Sequence, residues 1–336
     1  NILIGKELYR SDNKSLRWSH MIRVALGQSK MSTRPLAAFL HLIVYVGFVL
    51  INIELLEIVL DGLIGSHRLF APFLGRLYNF LIGTFEVFAF LVLISVIVFW
   101  TRRNVVRIKR FWKPEMKGWP KRDADFILYF EVVLMLLFLS MNATDSILQD
   151  RGVETYINAG SFPISQFLYP LFDGLSDQAL IIFERSFWWL HILGILIFLN
   201  YLFYSKHLHI LLAFPNTFYA NLEPEGTFQV DSHIKNEVML MMHPEKEISD
   251  NKASPPDKFG ANDIFDLKWT QLMNAYSCTE CGRCSDVCPA NQTGKKLSPR
   301  KIMMVTRDRL DVVGNYIDVN NGVFIDDNKK LLNWLS

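Results

Sequence analysis

The sequence predicts an all-α protein, a bundle of transmembrane helices followed by a smaller helical domain outside the membrane. Of the 336 residues, 51% are hydrophobic and only 20% are charged, which is more apolar than one soluble domain. Four long apolar runs account for the excess, and all of them lie before residue 215. The 35 Lys and Arg residues nearly balance the 33 Asp and Glu residues, which argues against nucleic acid as a partner.

Each of the four apolar runs approaches or exceeds the length that crosses a bilayer, about 17–25 residues. The first and fourth runs contain no charged residue, and the second and third contain only Glu86 and Glu131, respectively. The runs are 35–53, 77–100, 126–141 and 186–205, of which the third is the shortest. Buried helices of a large soluble domain are the alternative, but such helices seldom extend for about 20 residues without a charge.

The distribution of cations between the runs predicts the orientation of the bundle. The leading segment contains seven Lys and Arg residues, and the segment between the second and third runs contains nine. The other two connections, 61–77 and 144–186, contain two each. Because cytoplasmic loops are enriched in cations, both chain ends are predicted to lie in the cytoplasm. We therefore expect a multi-pass protein of the cytoplasmic (inner) membrane.

Changes in composition predict four segments. These are a basic cytoplasmic segment (1–34), a membrane bundle (35–214), a linker (215–262) and a C-terminal domain (263–336). The hydrophilic stretch 243–262, with Pro-Pro at its centre, is typical of a linker. Within the outer connection, 160–183 is predicted to be a packed loop rather than a helix lying on the membrane.

Helical patterns continue into the C-terminal domain. Residues Pro299–Leu310 have the periodicity of an amphipathic helix. Residues 325–335 resemble the start of another helix that stops in the middle of its pattern. Since the chain also begins without Met, we expect it to be truncated at both ends.

The C-terminal domain contains all four cysteines of the chain in the pattern C-x2-C-x2-C-x3-C-P. These residues are Cys278, Cys281, Cys284 and Cys288. The spacing is that of the bacterial ferredoxin motif, whose thiolates ligate a [4Fe–4S] cluster. Zinc is the alternative, but zinc ribbons usually bring cysteine pairs from two distant segments. In two-cluster ferredoxins the fourth cysteine ligates the other cluster, so we expect a second motif beyond Ser336.

Histidines in and beside the apolar runs are candidate haem ligands. His191 and His209 are 18 residues apart, so one continuous helix would present both on one face, about 27 Å apart. His41, in the cytoplasmic half of the first run, is the expected partner of His209 around a haem b. A second haem would need His191 with His67. Hydrogen-bonded packing residues are the alternative for each of these histidines.

Two segments of the sequence resemble known redox proteins. Residues 188–191 and 205–209 resemble the last helix of the cytochrome b (gamma) subunit of respiratory nitrate reductase, which ligates haem. The motif after Tyr276, with Thr293-Gly-Lys and Leu297-Ser-Pro-Arg behind it, resembles the helical 4Fe–4S ferredoxin of heterodisulfide reductase-type proteins. The combination is similar to the membrane-bound (Fe-S)-binding subunits of electron-transfer-flavoprotein:quinone oxidoreductases.

The resemblance implies an electron-transfer subunit of a quinone-linked oxidoreductase. Implied partners are a menaquinone-type quinone and a cysteine-rich heterodisulfide reductase-like subunit, an electron-transfer flavoprotein, or both. Three features of the resembled proteins are missing here: a fifth, leading helix, a second ferredoxin motif and a first-run histidine for an outer haem.

Quinol oxidation releases protons, and a carboxylate near the outer surface would accept one. Of the candidates Glu54, Glu57 and Glu86, Glu86 lies deepest and is the predicted proton acceptor. A solvated pair at the end of the first run is the alternative for Glu54 and Glu57. Two other functions fit the same pattern. The chain could be an ion-translocating or transport subunit with an iron–sulfur docking or sensing module, or a haem-free iron–sulfur membrane anchor.

Overall fold

A computed structural model describes residues 1–224, 226–227, 232–243 and 260–325. The helices are α1 (Lys14–Met21), α2 (Pro35–Ile64), α3 (Arg76–Asn104), α4 (Trp119–Asp150), α5 (Asp177–Leu202), α6 (His209–Phe218), α7 (Ser232–Met242), α8 (Trp269–Tyr276) and α9 (Pro299–Val319). Single helical turns lie at Ala71–Leu74, Tyr169–Phe172, Arg283–Asp286 and Pro289–Gln292. No strand forms within these ranges, where β pairing is limited to an isolated bridge between Lys6 and Lys268. The predicted all-α class is confirmed.

Four helices, α2 to α5, are long and apolar enough to cross a membrane. Helices α2, α3 and α4 each contain one predicted run and extend beyond it, because polar residues at the helix ends stay helical, whereas α5 covers the fourth run only as far as Leu202. The third run is the shortest in the sequence, yet α4 is the longest helix, with 32 residues. Its additional turns contain Asp123 and Asp145, which are buried against cations inside the bundle. The third apolar run is therefore much shorter than the helix that contains it, because the run was bounded by charged residues that the bundle buries.

The bundle is apolar on its outer surface, and its interior combines an apolar core with buried polar side chains. Leu63 and Phe80 are 79% and 70% exposed, although both belong to spanning helices. Buried polar side chains instead occupy the interior; they include Glu54, Glu57, Glu86, Asn142 and Asp145. Such an arrangement suits a hydrocarbon solvent, in which exposed apolar residues cost nothing and polar groups must find internal partners.

Neighbouring helices of the bundle pack in chain order, α2 on α3, α3 on α4 and α4 on α5. Glycines allow two of these close approaches. A Cβ at Gly47 of α2 would lie 2.6 Å from Val92, and one at Gly194 of α5 would lie 2.7 Å from Leu134. Small residues at helix contacts are the usual means by which membrane helices gain van der Waals contact.

The segment 160–183, predicted to be a packed loop, is only partly a loop, because residues 177–183 already belong to α5. It contains two short turns, Ser165–Leu168 and Tyr169–Phe172, before α5 begins at Asp177. The Ser176 hydroxyl caps α5 by accepting a hydrogen bond from the Ala179 amide, at 3.4 Å. The loop is thus fixed to the bundle at both ends of its length.

The end of the fourth span differs from the prediction. Helix α5 ends at Leu202, a 3-10 turn occupies Lys206–Leu208, and α6 begins at His209. The continuous helix that would present both His191 and His209 does not form. Because His191 and His209 lie on different helices, their spacing of 18 residues no longer places them on one face.

The chain forms two compact units, each discontinuous in sequence. One contains Gly27–Leu208 and Thr279–Val287, and therefore includes the membrane helices. The other contains Asn1–Leu26, His209–Cys278 and the chain from Cys288 onward.

The core of this second unit is formed by four buried apolar residues: Ile264, Leu272, Leu310 and Val313. The buried Arg309 guanidinium donates to the Asp263 carboxylate at 2.8 and 3.1 Å. The predicted helix over Pro299–Leu310 is confirmed and extends to Val319, with a cap from Ser298. Most of the hydrophilic stretch 243–262 of the predicted linker lies outside the described residues. The same holds for most of the helical pattern 325–335.

We expect Gly194→Leu to destabilise the bundle, because the new side chain would collide with Leu134 across the α4–α5 contact. Overpacking of this kind typically costs about 1–3 kcal/mol. Thermal unfolding of the detergent-solubilised protein measures the effect. Gly174→Leu is the control, because no atom lies within 4 Å of a Cβ at Gly174. Equal midpoints for the two variants would contradict the close α4–α5 packing.

Candidate functional site

The two ends of the membrane bundle have opposite chemical character. We call the end at which α2 and α4 begin the basic end, because the cation-rich residues 102–122 lie there. We call the opposite end, where α2 and α4 finish, the carboxylate end, because Glu54, Glu57 and Asp145 are buried near it. The candidate redox groups divide between these ends.

The backbone of the cysteine motif follows a series of tight turns. Helix α8 ends at Tyr276, and Glu280 and Gly282 then adopt left-handed conformations with φ of 56° and 73°. Gly282 tolerates this conformation because it has no Cβ, whereas Glu280 is held there by its side-chain contacts. The turn Arg283–Asp286 follows, and Cys288 is the N-cap of the turn Pro289–Gln292. Short turns separate the cysteines, as the predicted cluster motif requires.

The thiol of Cys281 lies in a cationic environment. The Arg283 Nε–H donates a hydrogen bond to the Cys281 Sγ at 3.3 Å. Burial raises the pKa of the Cys281 thiol, but the hydrogen bonds and charge of Arg283 outweigh burial, and the pKa lies below its ordinary value. A thiolate is the form of cysteine that ligates metals, so this environment favours ligation.

The donor set of the motif fits an iron–sulfur cluster. All four cysteines are thiols rather than disulfides. In the part of the chain that the structure describes, no three His, Cys, Asp or Glu side chains converge on a position for one metal ion. A cluster has a different requirement from a single ion, because each cysteine binds a different iron. Four thiols at ferredoxin spacing meet that requirement.

A buried lysine fixes the middle of the cysteine motif to the basic end of the bundle. The Lys206 Nζ lies 2.6 Å from the Glu280 Oε2 and 3.6 Å from the Asp123 Oδ2. It also donates to the Pro120 carbonyl at 2.8 Å. The Glu280 side chain is only 2% exposed, so solvent screens this ion pair weakly. The Lys206 ammonium group therefore joins the motif to the start of α4.

A second set of contacts fixes the same segment. Asp286 pairs with Arg34 at 2.8 Å and with Arg110 at 3.7 Å. Burial and the neighbouring Arg34 lower the pKa of Arg110. The Arg283 guanidinium lies 3.1 Å from the Met31 Sδ. Residues 279–287 are therefore held by groups from three separate parts of the bundle unit.

Sequence reasoning missed these contacts, although the sequence contained an indication of them. Glu280 and Asp286 occupy the variable positions of the cysteine motif, where the ferredoxin pattern sets no residue type. Acidic residues at those positions, in a chain with two strongly basic segments, indicate that the motif binds basic residues elsewhere in the chain. Only the fold identified Lys206, Arg34 and Arg110 as the partners.

His191 has the geometry of an oriented metal ligand. It is 2% exposed, and its Nδ1 lies 3.1 Å from the Leu134 carbonyl oxygen. A carbonyl only accepts hydrogen bonds, so Nδ1 carries the proton and Nε2 keeps its lone pair. Metal-ligating histidines are usually oriented by such a bond through the other ring nitrogen. The contact fits the prediction that His191 ligates haem, without excluding a packing role.

His67 does not have an available ring nitrogen. Its Nε2 lies 3.0 Å from the Asp145 Oδ1, and its Nδ1 accepts a hydrogen bond from the Ile157 amide at 3.1 Å. Iron ligation by His67 would require one of these bonds to break. The residues of this structure therefore do not fit His67 as the axial partner of His191.

The other two predicted haem ligands lie on separate elements. His41 is partly buried on α2, six residues after Pro35. His209 is the first residue of α6 and is also partly buried. Their pairing around one haem stays a prediction.

Glu86, the predicted proton acceptor, is a fully hydrogen-bonded carboxylate. Its oxygens accept hydrogen bonds from the Ile164 and Ser165 amides at 2.9 and 3.1 Å, from Asn142 at 3.2 Å and from the Ser165 hydroxyl. These four donors fix the loop around Ser165 to α3. These contacts give Glu86 a structural role at this site.

One guanidinium organises the carboxylate end. Arg68, in the connection after α2, donates to the Asp145 Oδ2 at 2.6 and 3.1 Å and to the side-chain Oδ1 of Asn142 at 3.1 Å. Burial lowers the pKa of Arg68, but the facing Asp145 and Tyr78 outweigh burial, and the pKa lies well above its ordinary value. Arg68 therefore stays charged and joins α2, α3 and α4.

Comparison with known proteins finds relatives among iron–sulfur redox proteins. The chain is 29% identical over 291 residues to the "Probable iron-sulfur-binding oxidoreductase FadF" of Bacillus subtilis, covering 86% of this chain and 36% of that protein. It is 26% identical over 327 residues to the "EtfAB:quinone oxidoreductase" of Syntrophomonas wolfei, covering 94% of this chain and 41% of that protein. The chain thus spans about two fifths of the length of these relatives.

A third relative matches a short segment only. It is the "Probable membrane-anchored ferredoxin" of Chromohalobacter salexigens, 45% identical over 44 residues, or 13% of this chain and 7% of that protein. No protein-family model matches the chain. No solved structure matches it significantly.

We expect Glu280→Gln to release the middle of the cysteine motif, because it removes the charged partner of Lys206. A hydrogen bond to a charged group contributes about 1.5–3 kcal/mol, so local opening of residues 279–287 should become about tenfold or more faster. Hydrogen–deuterium exchange of that segment measures the change. Asp308→Asn, in the exposed Arg307–Asp308 pair, is the control. Unchanged exchange in Glu280→Gln would refute the attachment.

We expect Arg68→Met to lower the free energy of unfolding by about 3–5 kcal/mol, because Asp145 would remain buried without its cation. Denaturant unfolding in detergent measures the loss. Arg151→Met is the control at the same end, since Arg151 pairs with the exposed Asp173 and Asp177 and should matter far less. Equal losses in the two variants would contradict the central position of Arg68.

Proposed function

We propose that this chain is the membrane electron-transfer part of a quinone-linked oxidoreductase. Its relatives indicate an iron–sulfur electron-transfer protein, and its four apolar helices indicate a membrane protein. The observation that supports the proposal most directly is the attachment of residues 279–287 to the basic end of the bundle. A redox motif fixed at a helix end is suited to exchange electrons with groups inside the membrane.

The four cysteine thiolates would hold the [4Fe–4S] cluster, which supplies one-electron transfer when bound. The chain itself does three things for this site. Arg283 lowers the pKa of the Cys281 thiol. Lys206 neutralises the buried Glu280, and Asp286 pairs with Arg34 and Arg110. Together these contacts hold the central turn of the motif in one position rather than on a swinging tether.

Haem b would be held by histidines of the bundle. His191 is the best supported ligand, because its Nδ1–H is fixed by the Leu134 carbonyl. His41 and His209 form the second predicted pair, for a haem near the basic end. Since both nitrogens of His67 are engaged, we no longer include it as a ligand.

We infer that the basic end faces the cytoplasm, because residues 102–122 follow the positive-inside rule. The cysteine motif would then meet a soluble redox partner there. The relative named EtfAB:quinone oxidoreductase supports an electron-transfer flavoprotein as that partner and a membrane quinone as the other substrate. Quinone reduction and quinol oxidation would use the same groups in opposite directions.

Optical and electron paramagnetic resonance spectra of the natural-length protein test the proposal. We expect a b-type haem spectrum after dithionite reduction and the resonance of a reduced [4Fe–4S] cluster. His191→Ala should lower haem content and leave the cluster resonance intact. Cys284→Ser should remove the cluster resonance and leave haem intact. His20→Ala, a histidine outside the bundle, is the control for both measurements.

The same spectra separate the alternatives. A cluster resonance without haem would overturn the haem proposal and favour an iron–sulfur anchor or an ion-translocating subunit. Zinc in place of iron would overturn the redox role of the motif altogether. Full haem content in His191→Ala would show that His191 is a packing residue.

A further inference from the structure

The carboxylate end contains more buried acid than buried base. Arg68 pairs with Glu54 and Asp145, and two further acids, Glu57 and Glu86, lie close enough to Glu54 to repel its charge. All four carboxyl groups are 3% exposed or less. Burying several like charges around one cation is costly in a membrane interior, so the cluster is more stable when a carboxyl binds a proton.

Hydrogen bonds distinguish three of these carboxyls from the fourth. Asp145 accepts from Arg68, His67 lies against its other oxygen, and Glu86 has four donors. Glu57 accepts from the Phe70 amide and the Tyr78 hydroxyl, both at 2.8 Å. Donors of this kind stabilise the ionised form of a carboxyl group.

Glu54 lacks such donors. It is 2% exposed, and neither of its carboxyl oxygens accepts a hydrogen bond from any residue that the structure describes. Its nearest cationic atom is the Arg68 Nη1, at 3.6 Å from Oε1, which is an ion-pair distance rather than a hydrogen bond. An unsatisfied, buried carboxyl beside three other acids is the member of the cluster that gains most from a proton.

We propose that Glu54 is a proton-binding residue that takes up and releases a proton at the carboxylate end. Contacts of Arg68 with Asp145, and of Asp145 with His67, connect Glu54 to the edge of the bundle. The His67 side chain is 14% exposed and is the group of this series nearest to solvent. Glu54, rather than Glu86, is thus the proton-exchanging carboxyl.

The role that we assign to this proton rests on the proposed quinone function. Oxidation of one quinol releases two electrons and two protons. Glu54 would first release its resting proton to water. One quinol proton would then go to the Glu54 carboxylate and the other to water, while the electrons go to the redox centres of the chain. Quinone reduction would reverse each transfer.

Infrared spectroscopy of the natural-length protein in detergent tests the proton site without any turnover. We expect the carbonyl stretch of a protonated carboxylic acid at neutral pH, shifted in deuterium oxide. Glu54→Gln should remove one component of this band, and Glu154→Gln, an exposed carboxyl at the same end, should leave the band unchanged. Glu131→Gln identifies any component that comes from the carboxyl of α4. A band that is identical in Glu54→Gln and the wild type, or a Glu54 component that Glu86→Gln removes while Glu54 is intact, would overturn the proposal.

Two further measurements keep the result interpretable. Glu54→Asp retains a carboxyl group, so its band should shift rather than disappear even if Glu54→Gln unfolds. In the wild type, quinol addition should change the band, whereas a static band that ignores quinol would overturn the coupling and leave the proton site standing. Absence of haem and of quinol oxidation in the wild type would instead overturn the proposed function.

Discussion

The arrangement of the membrane bundle depends on one buried cation. Arg68 lies in the short connection after α2, yet its guanidinium reaches Asn142 and Asp145 on α4 and Tyr78 on α3. Its own amide donates to Asp61 of α2 at 3.0 Å. In a hydrocarbon solvent, apolar side chains give little preference for one helix arrangement over another, because lipid solvates them equally well. A charge that must be neutralised internally does give such a preference, and it fixes three helices at the carboxylate end.

Lys206 performs the corresponding function at the basic end, in a way that bears on electron transfer. Its ammonium group satisfies Asp123, the Pro120 carbonyl and Glu280 together. Two of these partners belong to α4, and the third lies inside the cysteine motif. The two ends therefore use the same physical principle for different purposes. Arg68 assembles the bundle, and Lys206 connects the bundle to the segment that binds the cluster.

The same physics explains why the two carboxyls of greatest interest differ. Glu86 and Glu54 are both acidic residues deep in spanning helices, and sequence position alone favoured Glu86. Their environments are opposite, since Glu86 has four donors and Glu54 has none among the described residues. The four donors of Glu86 fix the loop around Ser165 to α3. A carboxyl without donors is free to gain or lose a proton.

The sequence by itself determined the fold class, the four spans and the cysteine motif, because these depend on composition and on local spacing. Apolar runs specify spanning helices whatever surrounds them, and C-x2-C-x2-C-x3-C-P specifies its own ligands. Tertiary structure decided what depends on distant partners. It ended α5 at Leu202, which removed the geometric basis for placing His191 and His209 on one helix face. In the folded chain both ring nitrogens of His67 form hydrogen bonds. Lys206 contacts Glu280, 74 residues away in the sequence, and no local pattern specifies that contact.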